Sequence, residues 1–187
     1  RLLNRRGCFP QFDKFIEQTK DVWTHLVDIR KSFEPRAEEL AKKYALAPYT
    51  MFIGSGALWG ETILFSMCIL EEMQWKRTRY ITSADFFHGT LELVEPGVPV
   101  FLFMGEDENR KLDERVRAFL NRGVTGDTDI NIIDTAEFAI PGLDEEFRVI
   151  VSPWILSSLV TDRLAAYYET VTKHNLNYRR YYHQFDY

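Results

Sequence analysis

Glu72 and His88 stand sixteen positions apart, each beside apolar side chains: Met73 and Trp75 follow the glutamate, and Phe87 precedes the histidine. A carboxylate at a buried edge can serve as a general acid or base, and an imidazole supplies a second proton acceptor near neutral pH. The pair therefore suits proton transfer. Glu71 fits the same description as Glu72, and composition does not separate them. A solvated carboxylate at a helix end is the plainer reading of either. A second stretch, Gly54-Ser55-Gly56-Ala57-Leu58-Trp59-Gly60, has the form of a strand-to-helix turn. Backbone there can approach a ligand and free helix N–H groups favour an anion, so Ser55 and Gly56 are candidate contacts to a phosphate or sugar. The third glycine falls one residue late for the dinucleotide fingerprint G-x-G-x-x-G, and no acidic residue closes a strand some twenty positions on. Nicotinamide binding is disfavoured.

Positioning these residues takes an α/β scaffold. Tyr49 to Ile53 is a β-rich run, and Ala57 to Trp75 is apolar nearly all round, as in a helix buried on most sides. Arg79 to Thr82 and Val98 to Met104 read as the second and third strands. The latter is an unbroken apolar run, expected of a parallel strand covered on both faces. Glu108 to Asn121 is a charged helix with Leu112, Val116, Phe119 and Leu120 on one face. A polar loop from Gly123 to Asp129 leads to a fourth strand, Ile130 to Ile133. Val149 to Tyr168 reads as the last helix, starting near Ser152-Pro153 with Ser152 as its cap. Ahead of the sheet, the helical spacing from Phe12 to Ile29 predicts one helix, and Pro35 opens a second over Arg36 to Tyr44. The alternation predicts a small doubly wound parallel sheet of about four to five strands with helices on both faces. Residues 1–48 form a helical preface, 49–173 the α/β domain and 174–187 a tail.

At 187 residues the chain suits one domain. Its 14 Phe, 9 Tyr and 4 Trp imply a large core or an oligomer interface. The formal net charge of -5, without a long basic run, argues against nucleic acid and anionic membrane as partners. Cys8 and Cys68 are far apart and lack a nearby histidine pair, so neither a disulfide scaffold nor a zinc site is expected. A cytoplasmic protein with a free, buried Cys68 is the expectation, and no metal or organic cofactor is called for. The tail, His174 to Tyr187, is too aromatic for a disordered segment and is expected to dock. The chain opens on Arg1 rather than Met, so a processed or truncated chain is expected.

Several residues together carry a family resemblance. Glu72-Met73-Gln74-Trp75, followed at sixteen positions by the histidine of Phe86-Phe87-His88-Gly89, resembles the second sugar isomerase (SIS) domain of the fructosamine-6-phosphate deglycases. The spacing is similar to that in the isomerase half of glucosamine-6-phosphate synthase. Glu95-Pro96-Gly97-Val98-Pro99, Asp113-Glu114-Arg115 and Arg179-Arg180-Tyr181-Tyr182 add to the likeness, which spans roughly residues 49 to 187.

The resemblance selects Glu72 over Glu71. It implies that Glu72 moves protons between C1 and C2 of a ring-opened sugar phosphate and that His88 assists ring opening. It further implies a homodimer or higher oligomer in which the histidine enters a neighbour's site. The tail would close over the substrate, with Arg180 and Tyr187 positioning it. The implied activity is cleavage of a fructosyl-amine (amino acid) 6-phosphate to glucose 6-phosphate and free amine. An aldose–ketose isomerase, or a non-catalytic sugar-phosphate-binding module, stands as the alternative. This chain departs from the family at Ala84-Asp85-Phe86-Phe87-His88-Gly89-Thr90, where Gly-Glu-Phe-x-His-Gly-Pro is usual. After Met104, moreover, Gly105-Glu106-Asp107-Glu108-Asn109 is acidic and would repel phosphate. The resemblance assigns the phosphate loop to a first SIS domain that is absent here.

Overall fold

Four short apolar segments pair in parallel: β1 (Thr50–Gly54), β2 (Thr78–Ile81), β3 (Val100–Met104) and β4 (Ile130–Asp134), in the order β2-β1-β3-β4. The computed structural model describes residues 1–123, 126 and 128–186. Tyr187 and part of the Gly123 to Asp129 loop lie outside the described residues. Every residue of the central strands β1 and β3 is buried, which accounts for their unbroken apolar sequences. Register aligns Phe52 with Phe101 and Ile53 with Leu102. Because side chains alternate between faces, the strands split the core in two.

One core lies on the Phe52, Phe101 and Phe103 side. It is covered by α3 (Val22–Tyr44), by α4 (Trp59–Ile63) with its π-helical continuation Leu64–Glu71, and by α7 (Glu145–Ser157) with the elements that follow it. On the other side, Met51, Ile53, Val100, Leu102 and Met104 pack against Phe86 of α5 (Ser83–Phe86) and against Val116 and Leu120 of α6 (Arg110–Leu120). The connections after β1 and β3 thus cover opposite faces. Between those two strands the winding reverses, which in such sheets opens a crevice at the carboxyl ends. Two further helices, α1 (Leu2–Arg5) and α2 (Phe12–Thr19), precede α3.

Two proline readings are corrected. Pro35 lies within α3 and opens no new helix. The buried stripe Val22, Leu26, Ile29, Phe33, Ala37, Leu40 and Tyr44 runs straight through it, so packing against the core outweighs the lost backbone hydrogen bond. The break falls earlier, between Thr19 and Val22. Likewise α7 begins at Glu145 with Pro153 inside it, and Ser152 is not its cap. Instead the Ser152 hydroxyl donates to the carbonyl of Val149 at 3.2 Å, the acceptor that Pro153 leaves without its usual N–H. The helix continues as a π segment, Ser158–Leu164, and as α8 (Ala165–Thr172).

From Glu145 to Thr172 this stretch is long and apolar enough to cross a membrane by length and composition. Its apolarity serves the core, where Phe147, Val151, Ile155, Leu156, Leu159, Val160 and Leu164 are buried. Cys8 and Cys68 are free thiols, Cys8 exposed and Cys68 half-buried.

Asp113 ties the carboxyl-end rim together. It is 1% exposed, accepts from Ser83 Oγ at 2.5 Å and from the Gly105 N–H at 3.3 Å, and so joins α6 to α5 and to the end of β3. Burial pushes its carboxyl up to about 6, against the opposing pull of those two donors. A raised folded value means that its stabilising contribution is complete below the unfolded value of about 4 and is lost as pH rises through about 6. Denaturant unfolding at a series of pH values is therefore expected to show wild type losing stability relative to Asp113→Asn between about pH 4 and 6. A pH-independent difference would contradict this assignment.

Candidate active site

The helix that leaves β1 ends in a widened winding. Glu72 N–H bonds the carbonyl of Met67 and Gln74 N–H that of Ile69, each five residues back. Such π turns insert a residue into the helical spiral and redirect the side chains beyond them. At Trp75 the backbone turns left-handed (φ 53°), a conformation a bulky residue adopts only where its surroundings hold it. Four consecutive residues consequently go four ways. Met73 packs on the larger core. Gln74, 5% exposed, donates to the His174 carbonyl at 2.6 Å and accepts from the Thr172 hydroxyl at 2.7 Å. Trp75 meets the His174 ring at 4.4 Å between centroids and lies under the Arg180 guanidinium at 4.3 Å. Glu72 faces a cavity.

That cavity, about 340 Å³, is lined by Glu71, Glu72, Trp75 and Lys76 on one side and by Arg179, Arg180, Tyr181 and Tyr182 of the tail on the other. Glu72 Oε1 pairs with Arg179 Nε at 3.0 Å. The same guanidinium donates to the carbonyls of Leu176 at 2.7 Å and Tyr178 at 2.9 Å, which fixes its direction. Glu71, by contrast, accepts from Thr78 Oγ1 at 2.6 Å and is tied to the start of β2. One turn before Glu72, the Cys68 thiol is pushed up by burial and by both glutamates, so it stays protonated at neutral pH.

Ser55 and Gly56 lie at the other end of this helix and do not line the Glu72 cavity. Ser55 is buried, and its Oγ accepts from the Ser83 N–H at 2.7 Å. At Gly56 (φ 55°) the helix N-terminus meets the chain's own Asp107, which accepts from the Ala57 N–H at 2.6 Å and from the Asn109 N–H at 2.7 Å. A carboxylate of the protein thus occupies the position that would favour an external anion.

The crevice beyond it, about 600 Å³, carries Glu106, Asp107, Glu108, Glu145 and Glu146. Glu106 is paired with Arg148, and Arg110 forms a two-pronged pair with Asp134 at 2.9 and 2.6 Å. His88 follows α5 beyond the far end of β2, is exposed, and is not among the residues lining the Glu72 cavity. Arg180, exposed, does line that cavity, while Tyr187 lies outside the described residues. Arg179 and Lys76 were not singled out in the sequence. The doubled arginine of an aromatic-rich tail expected to dock was the available signal for the first. Among the described residues no group of three or more His, Cys, Asp or Glu is placed to hold a metal ion.

No protein-family model matches the chain. Among curated proteins it is 27% identical over 184 residues to a fructosamine deglycase of Bacillus subtilis, covering 97% of this chain and 53% of that protein. It is 30% identical over 170 residues to a fructoselysine 6-phosphate deglycase of Escherichia coli, covering 89% and 46%. A crystal structure of a Salmonella typhimurium protein provisionally assigned as a phosphosugar isomerase superposes with a TM-score of 0.88 at 26% identity, over 99% of this chain and 56% of that one. These likenesses support an SIS-type family, and the α/β fold is that of the phosphosugar isomerases. The chain spans about half the length of the curated relatives it matches.

The closure of the helix start by Asp107 is directly testable. A Cβ at Gly56 would stand 2.1 Å from Asp107 Oδ2, on a backbone conformation that side chains rarely adopt. Gly56→Ala is expected to cost about 1–3 kcal/mol in chemical denaturation. A loss below about 0.5 kcal/mol, inside the usual range for neutral surface changes, would show that Asp107 does not hold this turn.

Proposed function

We propose that the chain supplies the proton-transfer half of a phosphosugar deglycase acting on a fructosyl-amine 6-phosphate, the amine being that of an amino acid. The observation that carries this reading is the placement of Glu72. Both Glu71 and Glu72 line the cavity, but Glu72 is held by a tail arginine across it, while Glu71 is engaged by Thr78 at the start of β2. The names of the relatives supply the substrate class.

In the ring-opened substrate C2 is a ketone and C1 carries the amine. Glu72 removes a proton from C1, giving a 1,2-enaminol, and returns a proton to C2. The product is the C1 imine of the aldose, which water hydrolyses to glucose 6-phosphate and free amine. Arg179 fixes the direction of the carboxylate, and docking of the tail brings Arg180 to the same wall. Gly56 and Ser55 form the turn that starts the helix carrying Glu72. Gly56 lines the carboxyl-end crevice, whereas Ser55 is buried and engaged by Ser83, so a substrate contact at this turn falls to Gly56. His88 acts in ring opening. Since it is exposed and lies outside the Glu72 cavity of its own chain, the reading requires a second subunit to deliver it. The carboxyl-end crevice is acidic and is not the phosphate anchor.

In the full-length protein, Glu72→Gln should lower kcat for release of glucose 6-phosphate from a fructosyl-amine 6-phosphate by about 10²–10⁴-fold, the usual contribution of a positioned acid–base group. Activity within a few-fold of wild type would sink the assignment. Ligand binding by wild type without product would mark a non-catalytic sugar-phosphate module instead. Mixing inactive Glu72→Gln and His88→Asn proteins should regenerate activity if the site is shared between subunits.

A further inference from the structure

The Glu72 cavity holds more positive charge than its acid–base chemistry uses. Lys76, Arg179 and Arg180 line it against Glu71 and Glu72. Both carboxylates are engaged, Glu71 by Thr78 and Glu72 by Arg179. Lys76 and Arg180 are left with no side-chain hydrogen bond or ion pair among the described residues. The backbone of Lys76 and the guanidinium of Arg180 are nonetheless held. Lys76 N–H bonds the Leu70 carbonyl at 2.8 Å, anchoring it just past the π turns. The guanidinium of Arg180 rests over the Trp75 ring, and Trp75 is in turn held by His174.

Lys76 is also half-buried. Burial alone pushes its ammonium below the ordinary lysine range, with no carboxylate close enough to offset the loss of water. A partly desolvated cation without a counter-charge is unfavourable until an anion joins it. Here a second unpaired cation lines the same cavity, contributed by a different segment.

We propose that Lys76 and Arg180 form an oxyanion subsite in the Glu72 cavity, which takes a carboxylate or phosphate group of the substrate. The placement of the substrate rests on the deglycase reading, whereas the anion site itself rests on the charge arrangement alone. Both cations offer N–H donors and line, with Glu72, one cavity of about 340 Å³, the size of a small-molecule site. A carboxylate would come from the amino acid on the sugar, and a phosphate from the sugar itself. Because Lys76 belongs to the helix end and Arg180 to the tail, a bound oxyanion would bridge the two walls and tighten the docked tail.

The test is calorimetric binding to the full-length protein, with three probes: inorganic phosphate, fructose 6-phosphate and N-fructosylglycine. Lys76→Gln and Arg180→Gln should each weaken one class of probe by at least about tenfold, the scale of one charge-assisted hydrogen bond. Weakening of the two phosphates alone identifies the phosphate as occupant. Weakening of N-fructosylglycine alone identifies the carboxylate. Lys76→Arg should bind within about threefold of wild type, which separates lost charge from damaged packing, and matching unfolding midpoints should accompany it. The subsite is overturned if wild type binds none of the probes, if both Gln variants bind all three as wild type does, or if Lys76→Arg fails as badly as Lys76→Gln. None of these measurements needs turnover, so an inactive protein that still shows them would refute the deglycase reading while leaving the subsite in place.

Discussion

A buried side-chain amide must satisfy its donors and its acceptor inside the protein, and at Gln74 that requirement organises the candidate site. Leaving either end unpaired would cost on the order of 1–3 kcal/mol. The amide finds both partners at the junction of α8 and the tail, donating to the His174 carbonyl and accepting from Thr172. The end of the helix after β1 is thereby locked to the start of the tail, one hundred residues later in the chain. Everything else at the cavity follows from that lock. Trp75 can hold a left-handed backbone because His174 and Arg180 enclose its ring, and Arg179 arrives beside Glu72 because the chain after His174 has a fixed origin.

The same helix meets acidic side chains at both ends, an arrangement its dipole favours at the N-terminus and opposes at the C-terminus. Its N-terminus, which attracts anions, is already met by Asp107 and looks into a crevice carrying five acidic side chains. Its C-terminus, where carboxylates are disfavoured, carries Glu71 and Glu72, and these are compensated by Thr78 and by cations on neighbouring segments. The first arrangement closes the usual anion position of a doubly wound sheet. The second collects positive charge at the C-terminal end, where the helix dipole also favours it. Negative substrate groups are thus directed away from the carboxyl-end crevice and toward the cavity under the tail.

How far the sequence carried is clearest from particular elements. The central strands β1 and β3 were legible from nearly unbroken apolar runs and the edge strands β2 and β4 from short β-rich runs, and each lies within about two residues of its expected bounds. Pro35 and Pro153 misled for one reason: local helix-breaking was weighed without the tertiary packing that overrides it, and in the second case without the Ser152 hydroxyl that replaces the missing donor. The π winding before Glu72 left no trace in apolar periodicity, since that stretch is apolar nearly all round. At the site, family resemblance selected Glu72 over Glu71, and a physical difference between the two enters only with Thr78, which engages Glu71 from seven residues away. The roles of Arg179, named only within a tail motif, and of Lys76 were not legible for a related reason. A basic residue acquires its role from the carboxylate it does or does not meet, and that pairing is long-range.

The tail contributes cations rather than an added carboxylate or histidine to the cavity wall, and this constrains what the tail can do. Arginines held by backbone carbonyls and an aromatic face move little once docked, so they can orient a carboxylate and receive an anion without themselves exchanging protons. Proton traffic then rests with Glu72 and with whatever imidazole reaches it from outside the cavity. On the deglycase reading proposed above, a chain with Glu72, its positioning arginine and two unpaired cations at one cavity, and His88 exposed outside it, carries half of the catalytic arrangement. That reading requires the complementary half to present an imidazole to this cavity and to leave room for a negatively charged ligand between the tail and the helix end.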